Sequence, residues 1–131
     1  MGSTERQAVV PEGAAKPIGP YSLGIRSGNL VFVSGTIGID PSSSTMVVGG
    51  VAAETSQILS NLQAVLEAAG SSLDQVVKTT VFMLDLKQFG SMNEVYAGAF
   101  SGAPPARSTV QVAGLPGGAL VEIEAIAIAS E

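Results

Sequence analysis

The chain has 131 residues, enough for one domain around one hydrophobic core. Eleven Asp and Glu against six Lys and Arg give a formal net charge of −5 and a pI near 4.5, a field that repels phosphate backbones and argues against nucleic acid as a main partner. With no histidine and no cysteine, disulfides, thiolate nucleophiles, Ser-His-Asp catalysis and the commonest metal ligands are excluded, and no metal site is expected.

Residues 1–15 mix small and polar types without periodicity and are expected to form a flexible N-terminal arm ahead of a single domain over residues 16–131. MGSTERQAVV lacks the apolar core of a signal peptide and reads as the start of a soluble chain; with no cysteine to oxidise, a cytoplasmic location fits and a mitochondrial one stays open. In GPYSLGIRSGNLVFVSG two extended runs flank RSGN, the second over residues 30–34, and predict a hairpin. DPSSSTMVVGG reads as a loop. In VAAETSQILSNLQAVLEAAG the residues Thr55, Ile58, Leu59, Leu62, Val65, Leu66 and Ala69 recur at spacings of three and four, which predicts a helix with one apolar face, stopped by Gly70.

Residues 76–84 form a β-branched and aromatic run, a core strand. Phe89, Met92, Tyr96 and Phe100 suggest a second helix over about 86–100, weakened by Gly90 and Gly98. Two further strands, 106–112 and 120–128, are joined by the turn-rich AGLPGG and predict a closing hairpin. The order ββαβαββ is satisfied by a mixed sheet with both helices on one face. The other face stays uncovered, and 46% hydrophobic residues with a mean hydropathy of +0.41 imply that it packs against other subunits. No apolar run, 125–129 included, approaches the ~20 residues needed to cross a bilayer, so the chain is expected not to span a membrane.

Few groups remain to carry chemistry. Arg107, in PPARSTVQV, is either a solvated edge-strand arginine or a fork for a carboxylate. Glu122 and Glu124 share one face of the apolar strand LVEIEAIAIA; either that face is an exposed edge, or one of them pairs with Arg107 across the hairpin, or they serve a site. Ser34 has no base to activate it and suits hydrogen bonding, and Tyr21 caps a turn or lines a cleft. No G-x-x-x-x-G-K or G-x-G-x-x-G is present, so nucleotide binding has no support.

PARSTVQVAGLPGGALVEIEAIA resembles the C-terminal signature of the RidA (YjgF/YER057c/UK114) family, and KPIGPYS, VFVSG and the middle segment AAGSSLDQVVKTTVFMLDLKQFGSMNEVYAGAF agree with it. The resemblance implies a chorismate-mutase-like α+β subunit with a six-stranded mixed sheet, and a homotrimer with a central barrel and clefts between neighbouring subunits. It also implies a cofactor-independent 2-iminobutanoate/2-iminopropanoate deaminase, which hydrolyses the enamine and imine products of pyridoxal-phosphate enzymes to 2-oxo acids and ammonia. The cleft then corresponds to Tyr21, Ser34, Asn93, Arg107, Thr109 and Glu122, with Arg107 and Glu122 as the catalytic pair and the other four binding substrate. Thr109 stands where many relatives have Cys, and Thr36 and Gly38 where Gln and Pro are common.

On this reading Arg107 grips the substrate carboxylate bidentately, and Glu122, kept ionised by the nearby cation, orients the attacking water. Two other functions compete: an RNA-cleaving translation inhibitor, opposed by the acidity of the chain, and a noncatalytic ligand-binding or chaperone-like trimer.

Overall fold

In the computed structural model, which describes residues 5–130, the elements are β1 (Gln7–Val9), β2 (Gly24–Ser27), β3 (Leu30–Thr36), β4 (Ile39–Asp40), β5 (Thr45–Met46), α1 (Gly50–Ala68), β6 (Val76–Met83), α2 (Phe89–Ala97), β7 (Ala106–Gln111) and β8 (Val121–Ile128). Six strands form one sheet in the order β1-β2-β3-β8-β6-β7, and β4 and β5 form a small ribbon. Neighbours in the large sheet are antiparallel except β6 and β7, which run parallel. The mixed six-stranded α+β sheet expected from the sequence is therefore the observed architecture.

Both helices cover one face. The apolar stripe of α1 buries Ile58, Leu59, Leu62, Val65 and Leu66 against Val31 and Val33 of β3 and the inward residues Val121, Ile123, Ala125 and Ala127 of β8. The stripe ends at Gly70, whose φ of 81° is open to glycine at little steric cost. There Ser71 N–H donates to Leu66 O and Gly70 N–H to Glu67 O, a Schellman closure. The second helix is shorter than its sequence pattern suggested: residues 86–88 form a 3-10 turn, and Asp85 caps it by accepting from Lys87 N–H.

Two expectations are corrected. Residues 7–9, assigned to a flexible arm, pair with β2, and Val9 is buried beside Gly24 and Val65; residues 1–4 of that arm, and Glu131, lie outside the described residues. The C-terminal strands do not form a hairpin. After the βαβ crossover through α2, β7 lies parallel to β6 at the sheet edge, and the 112–120 connection carries β8 over β6 to sit between β6 and β3. The burial pattern accords with this: β8 buries every second residue completely, as a central strand does, whereas β7 buries none.

The opposite face of the sheet is bare. Leu30 and Phe32 of β3, Val110 of β7 and Ile126 and Ile128 of β8 point away from the helices, Phe32 and Val110 each being 41% exposed. Phe32, Lys78, Thr80, Glu124 and Ile126 line a shallow hollow there. Among the described residues no helix is long and apolar enough to cross a membrane.

Arg26 ties three parts of the fold together. Its guanidinium donates from Nε to Gly28 O (3.1 Å), from Nη1 to Ala69 O (2.8 Å) and from Nη2 to Ser130 O (2.8 Å), joining the β2–β3 turn, the end of α1 and the C-terminal segment. Arg26→Ala leaves these carbonyls without the cation, and the expected loss is about 2 kcal/mol. Guanidinium unfolding at fixed protein concentration should show a lower midpoint with an unchanged m-value.

Candidate active site

Strand parity places Arg107 and Thr109 on one face of the sheet and Glu122 on the other. On β7, Arg107 and Thr109 stand beside Thr79 and Val81 of β6, which are 1% and 0% exposed on the helix side. Arg107 and Thr109 thus face α2. On β8, Glu122 stands beside Phe82 and faces the bare side. Arg107 and Glu122 therefore occupy opposite faces of the sheet, on strands two spacings, about 10 Å, apart. Pairing between them across a hairpin, one sequence reading, is ruled out within a single chain.

The first group is built on β7 and α2. Arg107 is half-buried, with its Cζ 4.8 Å from the Tyr96 ring centroid and 5.4 Å from that of Phe89, and Nη1 donates to Met92 Sδ at 3.9 Å. It has no ion pair among the described residues, so its remaining N–H groups are open to a ligand. Asn93 follows Met92 on α2, and its amide has no hydrogen-bond partner among the described residues. Thr109 Oγ1 is a buried polar side-chain atom without a partner. A buried hydroxyl with nothing to bond is costly. An unpaired guanidinium with the unpartnered Thr109 hydroxyl on the same strand face offers donors that suit an anion with acceptor oxygens.

The second group sits where β3 meets β8. Ser34 Oγ donates to Ser22 O at 2.5 Å, and Ser34 N–H to Leu23 O, which fixes the segment carrying Tyr21. Tyr21 is 43% exposed, and its Oη accepts a long bond from Ile18 N–H at 3.4 Å. The β3–β8 register shifts between Val33 and Thr36, and the Glu122 carboxylate lies directly against Gly35 there; a Cβ on Gly35 would collide with it. Sequence reading passed over Gly35, because its role depends on a carboxylate 87 residues away along the chain.

Glu122 differs electrostatically from its expected state. Burial, and then the charge of Glu124 on the same face, raise its pKa above the ordinary 4.5. The cation expected to keep it ionised lies on the other side of the sheet. A raised pKa makes the carboxylate a better proton acceptor near neutral pH. Among the described residues no cluster of Asp and Glu is placed to hold a metal ion.

The fold defines a class: an α+β domain with an unpaired arginine on the helix-covered sheet face and a half-buried carboxylate on the other. Residues 12–129 match the family described as Endoribonuclease L-PSP, and the chain belongs to that family, the RidA/YjgF family its motifs resemble. It is 46% identical over 128 residues to the 2-iminobutanoate/2-iminopropanoate deaminase of Mus musculus, covering 98% of this chain and 95% of the mouse protein. A RutC family protein of Pyrococcus horikoshii is 48% identical over 122 residues, covering 93% and 97%. Among solved structures, a putative endoribonuclease of Thermotoga maritima superposes with a TM-score of 0.91 at 46% identity, covering 97% of this chain and all of that one.

Gly35→Ala forces the Glu122 carboxylate off its seat while leaving both half-sites chemically complete. Turnover should fall at least tenfold, with circular dichroism unchanged; wild-type turnover in the variant would show that the Glu122 position does not matter.

Proposed function

We propose that the protein is a cofactor-independent deaminase that hydrolyses short 2-imino and enamine acids, 2-iminobutanoate and 2-iminopropanoate, to 2-oxo acids and ammonia, and that it works as a homotrimer. The carrying observation is the split site. An anion receptor lacking a catalytic carboxylate and a carboxylate lacking a receptor form a complete site only when a second copy supplies the missing half. Such a contact joins unlike patches, and in the homotrimer the same head-to-tail contact repeats three times and closes into a ring. The bare apolar sheet face supplies an area for it. Support for the reaction comes from relatives of Mus musculus, Rattus norvegicus and Homo sapiens that carry the deaminase name at 44–47% identity.

In this reading the Arg107 guanidinium receives the substrate carboxylate bidentately, with Asn93 and Thr109 beside it. Glu122 of a neighbouring copy accepts a proton from water as its oxygen adds to the iminium carbon, giving a tetrahedral carbinolamine. The same carboxyl returns that proton to the amine nitrogen. The C–N bond breaks as the carbinol hydroxyl gives its proton to the Glu122 carboxylate and becomes the 2-oxo group; ammonia leaves and takes that proton as ammonium, which restores the ionised carboxylate. Tyr21 and Ser34 shape the wall on the Glu122 side. An iminium is already activated, so placing substrate and water in attack geometry supplies most of what is needed.

The RNA-cleaving reading suggested by the family description has less to stand on. Such chemistry would have to draw on six cationic side chains against a net charge of −5, without histidine.

In a coupled assay with threonine dehydratase and semicarbazide, the wild type should suppress semicarbazone formation and Arg107→Ala should not. Arg107→Lys keeps the charge and loses the fork, for an expected fall in kcat/KM of about 10- to 100-fold. Equal activity of the lysine variant would remove bidentate recognition from the scheme.

The pH dependence follows from the raised pKa of Glu122. As a base Glu122 works ionised, so kcat/KM should fall as pH drops through a value above 4.5. Glu124→Gln removes the repelling charge and should move that acid limb downward. For folding the sign is opposite: a carboxyl with a raised folded pKa favours the native state at low pH and loses that contribution as pH rises through the folded value.

A further inference from the structure

We infer that Tyr96 is a positioning residue for Arg107, held in turn by Thr79, so that the aromatic stripe of α2 sets the plane in which substrate carboxylate is received. This rests on the deaminase reading for what Arg107 binds, and on geometry for the rest. Phe89, Met92 and Tyr96 recur on one face of α2, a pattern that in sequence reads as core alone. Met92 and Tyr96 are buried, but all three also touch the guanidinium: rings at 5.4 and 4.8 Å, sulfur at 3.9 Å.

An arginine on an edge strand has many rotamers, and some force must select one. An ion pair with a carboxylate would do so by occupying the in-plane N–H donors that a substrate carboxylate needs. Aromatic rings act differently. They attract the cation without an acceptor oxygen, so the N–H donors other than Nη1 stay available. The contact is therefore suited to a receptor rather than to a structural bridge.

The ring itself is anchored. Tyr96 Oη and Thr79 Oγ1 are 2.6 Å apart, both residues being at least 95% buried. Thr79 is also the register partner of Arg107 across β6 and β7. One hydrogen bond thus references the ring to the backbone position from which the guanidinium projects. Phe100 packs on the Tyr96 ring with centroids 4.8 Å apart, which limits its remaining motion.

The test compares Tyr96→Leu, Tyr96→Phe and Thr79→Val, reading KM and kcat for 2-iminobutanoate and, by calorimetry, Kd for the product 2-oxobutanoate. Tyr96→Leu removes ring and anchor; KM and Kd should rise about tenfold with kcat within about twofold, the mark of lost carboxylate binding. Tyr96→Phe keeps the ring and should recover most of that loss. Thr79→Val should match Tyr96→Phe at about a threefold rise in Kd, and the double variant should be no worse than either, because both remove one bond. Variants that only destabilise would lower Tm and leave Kd unchanged, which overturns the inference, as does a Tyr96→Phe variant as impaired as Tyr96→Leu. Should Tyr96→Leu fail to fold, the threonine and phenylalanine pair decides by the same Kd criterion. A wild type that binds 2-oxobutanoate through Arg107 without hydrolysing imines would defeat the deaminase reading and leave the positioning role standing; one that hydrolyses imines with KM unchanged in Tyr96→Leu overturns the positioning role alone.

Discussion

A β-strand sends successive side chains to opposite faces, and in this protein that period of two decides which of a handful of charges can meet. On β8 it turns Val121, Ile123, Ala125 and Ala127 towards the helices and Glu122 and Glu124 away from them. On β7, through its parallel register with β6, it turns Arg107 towards the helices. A one-residue slip of β8 would put the carboxylate on the face of the cation, at the cost of exposing Val121, Ile123, Ala125 and Ala127. The hydrophobic core and the division of the site are thus set by the same register.

The two halves are tuned by different means. Arg107 is kept in place by rings and a sulfur atom, soft partners that leave its charge uncompensated within the chain. Glu122 is kept in place by the lack of a side chain at Gly35, and its proton affinity is raised by burial and by a like charge. Each arrangement sacrifices some stability of the isolated subunit, through an unpaired cation and a half-buried anion. Sites commonly carry such local conflict while the surrounding fold is self-consistent.

Much of this was legible in the chain. The three-four spacing from Thr55 to Ala69 marked α1 and its buried face, Gly70 marked its end, and the alternation in LVEIEAIAIA placed Glu122 and Glu124 together on one face. Local periodicity carries such information. It does not carry pairing partners: that β8 passes over β6 instead of turning back on β7 depends on contacts across the whole sheet. For the same reason the direction of Arg107 was hidden, since it follows from a register with a strand some 28 residues earlier. The strand at residues 7–9 was missed because three residues are too few to show a period, although Val9 is a good strand former. The proton affinity of Glu122 was misjudged because it depends on burial and on which charges face it, and neither is local in the chain.

The separation of Arg107 from Glu122 also bears on inheritance. In a closed ring of such subunits, each chain lends its cation to one cleft and its carboxylate to another. A chain defective in one of these residues disables a single cleft, whereas a chain defective in both disables two. In the proposed ring, two alleles damaged at different halves would restore a working cleft between them when their products mix, and the functional unit would be the seam between neighbours.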